Sequence, residues 1–350
     1  MIETISSQAL GNDLADDLSP GGVNGPIFIG GADRSGKTML RAFLTSHPRV
    51  SIPGIGSNMW TYFYGQHGDL ADEANFERCL AAMLRYKHVR FLEPDADRIR
   101  EEFREGPPTY GRLFATFQRQ HAEREGKRRW GDQSGLIERY ADEVFAAYPD
   151  AVMLHLVRDP RDRWEAVRAR WGDGHGGVGG STARWRYSAR LSARNLARYP
   201  DRYEIVRFED LILRPEPTLR RVCEVIGESY LPEILTMRGA PEYRARLRED
   251  LETAEAKGGP APLDREYVGR FSGRIPAEDV AFIESTARIE MAWFDYEPAG
   301  ASLDAAHRLR YLLGTWPSNR LRLAGWMARE RLQQRAPGRV GRRPSRGKVA

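Results

Sequence analysis

The stretch Pro26-Ile27-Phe28-Ile29-Gly30-Gly31-Ala32-Asp33-Arg34-Ser35-Gly36-Lys37-Thr38, running on into Met39-Leu40-Arg41-Ala42-Phe43-Leu44, decides the fold. Ile27–Ile29 is short, β-branched and aromatic, the composition of a buried parallel strand. Met39, Leu40, Phe43 and Leu44 recur at helical spacing. The turn between them satisfies G-x-x-x-x-G-K-[ST], with Gly31, Gly36, Lys37 and Thr38 in place. A strand, a glycine turn and a helix start aim backbone N–H groups and the positive end of the helix dipole at one point. That point favours an anion, usually a phosphate. Glycine is required where the backbone takes positive φ close to phosphate oxygens. Arg34 and Lys37 add two cations. An ordinary tight strand–helix turn is the plainer reading of the same residues.

The chain has 350 residues, enough for one large domain or two smaller ones. With 41% hydrophobic and 29% charged residues it is globular in composition rather than disordered. The net charge of +5 is unevenly spread. Residues 1–25 carry Glu3, Asp13, Asp16 and Asp17 and no Lys or Arg, and read as a flexible leader. From residue 304 onward only Asp304 and Glu330 oppose a long series of arginines. No apolar run is long enough to span a membrane, and the start lacks the pattern of a signal peptide, so a cytoplasmic location is expected. Cys79 and Cys223 sit in apolar helical patterns and are expected to be buried and reduced. The histidines show no metal-ligand spacing, and no metal site is expected.

Along the chain, His47–Pro53 predicts a turn and a second short strand. The aromatics Trp60, Tyr62, Phe63 and Tyr64 follow, in a position to line an acceptor pocket or simply to pack the core. Residues 74–125 read as helical, broken at Pro94 and Gly106-Pro107-Pro108. Arg128–Gly135 interrupts the pattern before a helix over Leu136–Tyr148. Ala151–Val157 is a second buried strand, ending in Arg158-Asp159-Pro160, where proline suits the first turn of a new helix. His155 within it reads as a packed core residue. Gly172–Gly180 reads as a flexible loop, either a lid or a connector. A basic helix over Thr182–Tyr199, a strand over Tyr203–Phe208 and a helix over Glu216–Ile226 capped by Gly227 follow. Strands and helices in alternation predict an α/β fold, a three-layer sandwich of the P-loop type with a central parallel sheet covered on both faces.

With these pieces placed, the chain resembles the sulfotransferases that use 3′-phosphoadenosine 5′-phosphosulfate (PAPS). GGADRSGKTML is similar to that family's 5′-phosphosulfate loop, usually written PKSGTT or PRSGTT. FAAYPDAVMLHLVRDPRDRWEAV resembles the strand and turn that bind the 3′-phosphate, and YEIVRFEDLILRPEPTLRRVCEVIG the late strand and helix. RRWGDQSG is close to WGDKTP, and residues 267–296 give weaker support. The matches run in family order from about residue 26 to 298, which suggests a sulfotransferase domain over 26–300 with a basic helix and disordered tail over 301–350.

The resemblance implies PAPS as co-substrate, no required metal, and transfer of a sulfuryl group to the hydroxyl of a sugar, glycolipid or small metabolite. Such transfer passes in line between oxygens, and the protein contributes positioning and charge stabilisation. By that alignment Arg34 stands at the family's catalytic lysine. Gly31, Ser35, Gly36, Lys37 and Thr38 would hold the 5′-phosphate, and Arg158 the 3′-phosphate. Some positions depart from the family. Ala166 stands where a serine eight residues after the arginine is usual, leaving Arg161, Arg163 or Arg270 to replace its hydrogen bond. Lys37 replaces a threonine, Gln133 the lysine of WGDKTP. The usual positions of the base hold Gly135 and Ile55. Asp132 is then the expected general base, with Glu138 next and His47 and His67 behind; an orienting role fits Asp132 equally.

The tail segment 303–334 mixes Leu309, Leu312, Leu313, Trp316, Leu321 and Trp326 with arginines. It suits a helix on an anionic membrane surface or one packed on the domain with a solvated basic face. No module for specific nucleic-acid binding accompanies the charge. Two other functions stay open. Lys37-Thr38 completes the fingerprint of a P-loop kinase using Mg-ATP, with Asp159 as a second carboxylate, and the altered base positions would fit a non-catalytic nucleotide-binding or membrane-adaptor protein.

Overall fold

The computed structural model describes residues 25–240, 263–300 and 303–335. The expected leader and the arginine-rich end beyond residue 335 therefore lie outside the described residues. Five strands form one sheet: β1 (Ile27–Gly30), β2 (Val50–Ser51), β3 (Arg129–Gln133), β4 (Val152–Val157) and β5 (Tyr203–Arg207). All pairings are parallel, in the order β2-β3-β1-β4-β5. Parallel neighbours need crossovers, and helices provide them. Between β1 and β3 lie α1 (Lys37–Leu44), α2 (Met59–Tyr62), α3 (Glu73–Arg85), α4 (Lys87–Arg90), α5 (Ala96–Arg104) and α6 (Tyr110–Arg124). α7 (Ala141–Ala147) leads into β4, and α8 (Pro160–Trp171) and α9 (Gly177–Arg198) lead into β5. α10 (Phe208–Leu213), α11 (Pro215–Ile226), α12 (Ala277–Ala292), α13 (Ala305–Arg310) and α14 (Trp316–Arg335) follow.

β1 shows why the sheet is covered on both faces. Alternate side chains leave a strand on opposite sides. Ile27 and Ile29 join Leu40, Phe43, Leu154 and Leu219 on one face, whereas Phe28 joins Trp60, Phe114, Phe117 and Met153 on the other. Phe28 is fully buried, and its ring stacks on Phe114 at 5.9 Å. Burying a side chain of that size stabilises by about 1.5–3 kcal/mol. The result is the expected three-layer α/β arrangement. Cys79 and Cys223 are buried and free, and among the described residues no helix is long and apolar enough to cross a membrane.

Three local expectations need correction. Arg129–Gln133 is a strand, and it lies between β1 and β2. Its polar composition is sustained by tertiary partners: the buried Arg129 donates to the carbonyls of Gly25 and Ile226 and pairs with Glu228 at 3.0 Å. Leu136–Tyr148 opens as a 3₁₀ turn, Ile137–Tyr140, before α7 begins. Gly177–Gly180 is no flexible loop but the buried first turn of α9. The backbones of α9 and α14 touch there: Gly179 donates its N–H to Asn319 Oδ1, and a Cβ on Gly179 would lie 2.3 Å from the Asn319 carbonyl oxygen. The tail helix thus packs on the domain, with Leu323 and Glu330 buried.

Candidate active site

The carboxyl ends of β1 and β4 meet, with Gly30 beside His155 in register. Ligand crevices form at such strand ends in open α/β sheets. The loop after β1 takes positive φ at Gly31 (117°), Arg34 (65°) and Gly36 (99°). Arg34 in this conformation is strained, since left-handed backbone is uncommon for a residue with a Cβ. Gly36 caps α1 and has no room for a side chain, because a Cβ would lie 2.3 Å from the Phe208 ring. α1 has no acidic residue in its first turn, so its free amides and positive dipole end are left for a ligand.

The loop is held from beneath. Gly31 donates its N–H to Glu138 Oε2 at 2.9 Å, and Ser188 donates its hydroxyl to Glu138 Oε1 at 2.6 Å. Asn195 fixes the Glu138 carbonyl at 2.8 Å. Ser188 also meets His155 Nε2, and His155 Nδ1 meets the Tyr203 hydroxyl. His155 is accordingly a core residue, its pKa pushed down by burial. Ser35 Oγ donates to the Ala32 carbonyl, while Lys37 Nζ folds back onto the carbonyls of Gly31 and Ala32 at 2.8 and 2.7 Å. Burial lowers the Lys37 pKa, Asp33 and Glu138 oppose that shift, and Arg163 and Arg34 add to it by repulsion.

Arg158 ends β4 and lies across the Phe208 ring at 4.3 Å, donating Nη2 to the Tyr267 carbonyl at 2.8 Å. Its carbonyl accepts from Trp185 Nε1, and its Nε has no hydrogen-bond partner among the described residues. Burial lowers its pKa, and repulsion from Arg34 adds to that. Asp162 pins the neighbouring loop by accepting from the amides of Gly269 and Phe271, both at 2.8 Å. This brings Arg270 alongside, over the Tyr267 ring and 3.4 Å from Glu165. Arg161 is committed to Asp159 and Glu284.

Next to the loop opens a cavity of about 540 Å³. Asp33, Tyr62, Gly135, Arg163, Trp171 and Arg184 line it together with Trp326, Arg329 and Glu330 of the tail helix. The aromatic cluster divides: Trp60 and Phe63 are core, and Tyr62 faces the cavity. Asp132 and Glu138 do not line it. Asp132 is 1% exposed, its Oδ1 accepting from the Ser57 amide and its Oδ2 from the Ser134 hydroxyl, and burial raises its pKa. Each oxygen of both carboxylates accepts a hydrogen bond from the protein, an arrangement that suits orienting roles. His47 lies buried beyond the far end of α1, and His67 is likewise off the cavity wall. The carboxylate that does face the cavity from the loop is Asp33. In the sequence Asp33 occupies one of the unspecified positions of G-x-x-x-x-G-K-[ST], so the motif carries no signal for it.

The model of the sulfotransferase family matches residues 26–232, more than half of the chain. The chain belongs to the sulfotransferase family. Among solved structures it is similar to the sulfotransferase domain from the curacin biosynthetic pathway, with a TM-score of 0.50 and 18% identity over 78% of this chain and 98% of that one. That likeness is one of fold. The sulfotransferase domain of the Synechococcus PCC 7002 olefin synthase gives a TM-score of 0.44 at 18% identity, covering 87% of this chain and 94% of that one. A Mycobacterium avium sulfotransferase gives 0.44 at 13% identity, covering 84% and 82%. No curated protein matches.

Proposed function

We propose that this sulfotransferase moves a sulfuryl group from PAPS to an acceptor hydroxyl on a small molecule, sugar or glycolipid. The observation that carries the reading is the convergence of like charges. Arg34 repels both Lys37 and Arg158, and Arg158 repels Arg163, at two neighbouring strand ends. Asp33 and Glu138 beside Lys37, and Asp162 and Glu209 beside Arg158, offset part of that repulsion; PAPS would bring further anionic groups to the two separated points. The amides of Gly36–Thr38 with Ser35 and Lys37 would hold the 5′-phosphate. Arg158, with Arg270 beside it, would take the 3′-phosphate.

In the reaction the acceptor oxygen bonds to sulfur while the bond from sulfur to the 5′-phosphate oxygen breaks, leaving its electron pair on phosphate. Arg34 stabilises that developing charge. The hydroxyl proton passes to Asp33, which faces the cavity from the loop itself. Glu138 acts as a positioning residue through the Gly31 amide, and Asp132 through the Ser57 amide.

Calorimetry of 3′-phosphoadenosine 5′-phosphate (PAP) against ATP, each with and without Mg²⁺, tests the reading. PAP is expected to bind more tightly than ATP and independently of Mg²⁺. Arg158→Ala should weaken PAP by about 1.5–3 kcal/mol, the range for hydrogen bonds to charged groups. Mg²⁺-dependent ATP binding with no response to PAP would overturn the proposal in favour of a kinase.

A further inference from the structure

We infer that the acceptor carries an anionic group, a carboxylate or phosphate, in addition to the hydroxyl that receives the sulfuryl group. This rests on the sulfuryl-transfer reading and concerns the acceptor side of the same cleft. The cavity wall holds three guanidinium groups, Arg163, Arg184 and Arg329, and two carboxylates, Asp33 and Glu330. Glu330 is neutralised by Arg139, which stands behind the wall with little exposure. The wall's own balance is therefore three cations against Asp33.

Arg163 makes the strongest part of the case. It is 1% exposed, and its Nη1 donates to the carbonyl and hydroxyl of Ser181 at 3.1 and 2.7 Å. Its Nε has no hydrogen-bond partner among the described residues. A guanidinium kept charged this deep in a protein needs an anion or a dense set of acceptors. Ser181 supplies part of that set and Asp33 an opposing charge, yet burial, with repulsion from Arg184 and Arg158, still draws the Arg163 pKa down to about 10. The electrostatic debt sits on the wall of a cavity large enough for a small molecule.

The cleft also shows how such an acceptor would lie. Tyr62, Trp171 and Trp326 line the same cavity as Asp33 and the arginines. Arg184, Trp326 and Arg329 are shared with an adjoining cavity of about 420 Å³, which adds Arg322 and is lined by Gly176, Gly180 and Gly325. An acceptor with its hydroxyl toward Asp33 and an anionic end toward Arg163, Arg184 and Arg329 would stack its body on the aromatic wall. Planar guanidiniums suit carboxylate and phosphate oxygens in this role.

The test uses the full chain saturated with PAP, titrated with para-hydroxybenzoate and with its neutral isostere para-hydroxybenzamide. The acid is expected to bind at least about 10-fold more tightly than the amide, one charge-assisted contact's worth. Arg329→Glu changes an exposed helix residue and shifts the wall from three cations against one anion to two against two. It should reduce that preference to about 2-fold or less while PAP affinity is retained. Equal binding of acid and amide, or an unchanged preference in Arg329→Glu, would overturn the inference and leave the donor assignment standing. Failure of PAP to bind would overturn both.

Discussion

The two halves of the cleft are built by different means. The proposed donor half stands on strand ends: the loop after β1, Arg158 after β4, and beneath them the chain Gly31–Glu138–Ser188–His155–Tyr203. Its ligand-facing groups are backbone amides and cations fixed by the sheet. The proposed acceptor half is a wall drawn from the loop, the segment after β3, α2, α8, α9 and α14. On this reading the donor site is set by backbone geometry, and the acceptor site draws on side chains of a docked helix. If the division holds, substitutions should separate donor affinity from acceptor use.

Asp33→Asn should give the largest effect, because Asp33 belongs to the loop by sequence and to the acceptor wall by orientation. Loss of a general base lowers turnover by roughly 10²–10⁴. The expected result is a fall of at least about 100-fold in kcat with PAP affinity nearly unchanged. Steady-state kinetics alongside calorimetry would check it. A loss confined to PAP affinity would place Asp33 wholly in the donor half and remove it as base.

Gly36→Ala should come second, acting on the donor half alone. At φ 99° a Cβ is strained, and it would meet Phe208 at 2.3 Å. The same Phe208 ring lies under Arg158, so pushing it is expected to disturb both proposed phosphate positions at once. Strain of about 1–3 kcal/mol plus overpacking of similar size predicts roughly 100-fold weaker PAP binding. Circular dichroism serves as the check on folding. A folded variant with unchanged PAP affinity would show that the loop and Arg158 are not coupled through Phe208.

These two halves also differ in how far the sequence reveals them. The phosphate loop, β4 with its Arg158-Asp159-Pro160 ending, β5 and the Gly227 cap are local patterns, and each stands where periodicity and capping residues place it. β3 escaped because Arg-Trp-Gly-Asp-Gln has no strand periodicity. Its buried Arg129 and Asp132 are stabilised by partners distant in sequence, Gly25, Ile226 and Glu228 for one and Ser57 for the other. The glycines of Gly172–Gly180 read as a flexible loop because glycine ordinarily interrupts helices. Here Gly179 admits the backbone of α14, and close approach between helices leaves no periodic mark. The cavity is drawn from segments between residues 33 and 333, so composition could mark the tail as basic and aromatic but not show which of its residues face a site.

Gly179→Ala gives the smallest of the three effects and the cleanest separation. Gly179 touches neither the loop nor Arg158, and its φ is not in the left-handed region, so alanine is locally permitted. Its Cβ would nonetheless lie 2.3 Å from Asn319 O and 2.8 Å from Asn319 Cα, both backbone atoms of α14. Backbone cannot turn aside as a side chain can, so the helices must separate by a fraction of an ångström to relieve the overlap. Overpacking of this kind costs about 1–3 kcal/mol. Trp326, Arg329 and Glu330 ride on α14 and would move with it, while the sheet and its strand ends stay in place. The expected outcome is an acceptor KM raised about 10-fold, the equivalent of about 1.4 kcal/mol, with PAP affinity unchanged. Kinetics with calorimetry would distinguish the cases. A fall in PAP affinity of the same size would mean that α14 supports the donor site as well, and the two halves would then be one mechanical unit.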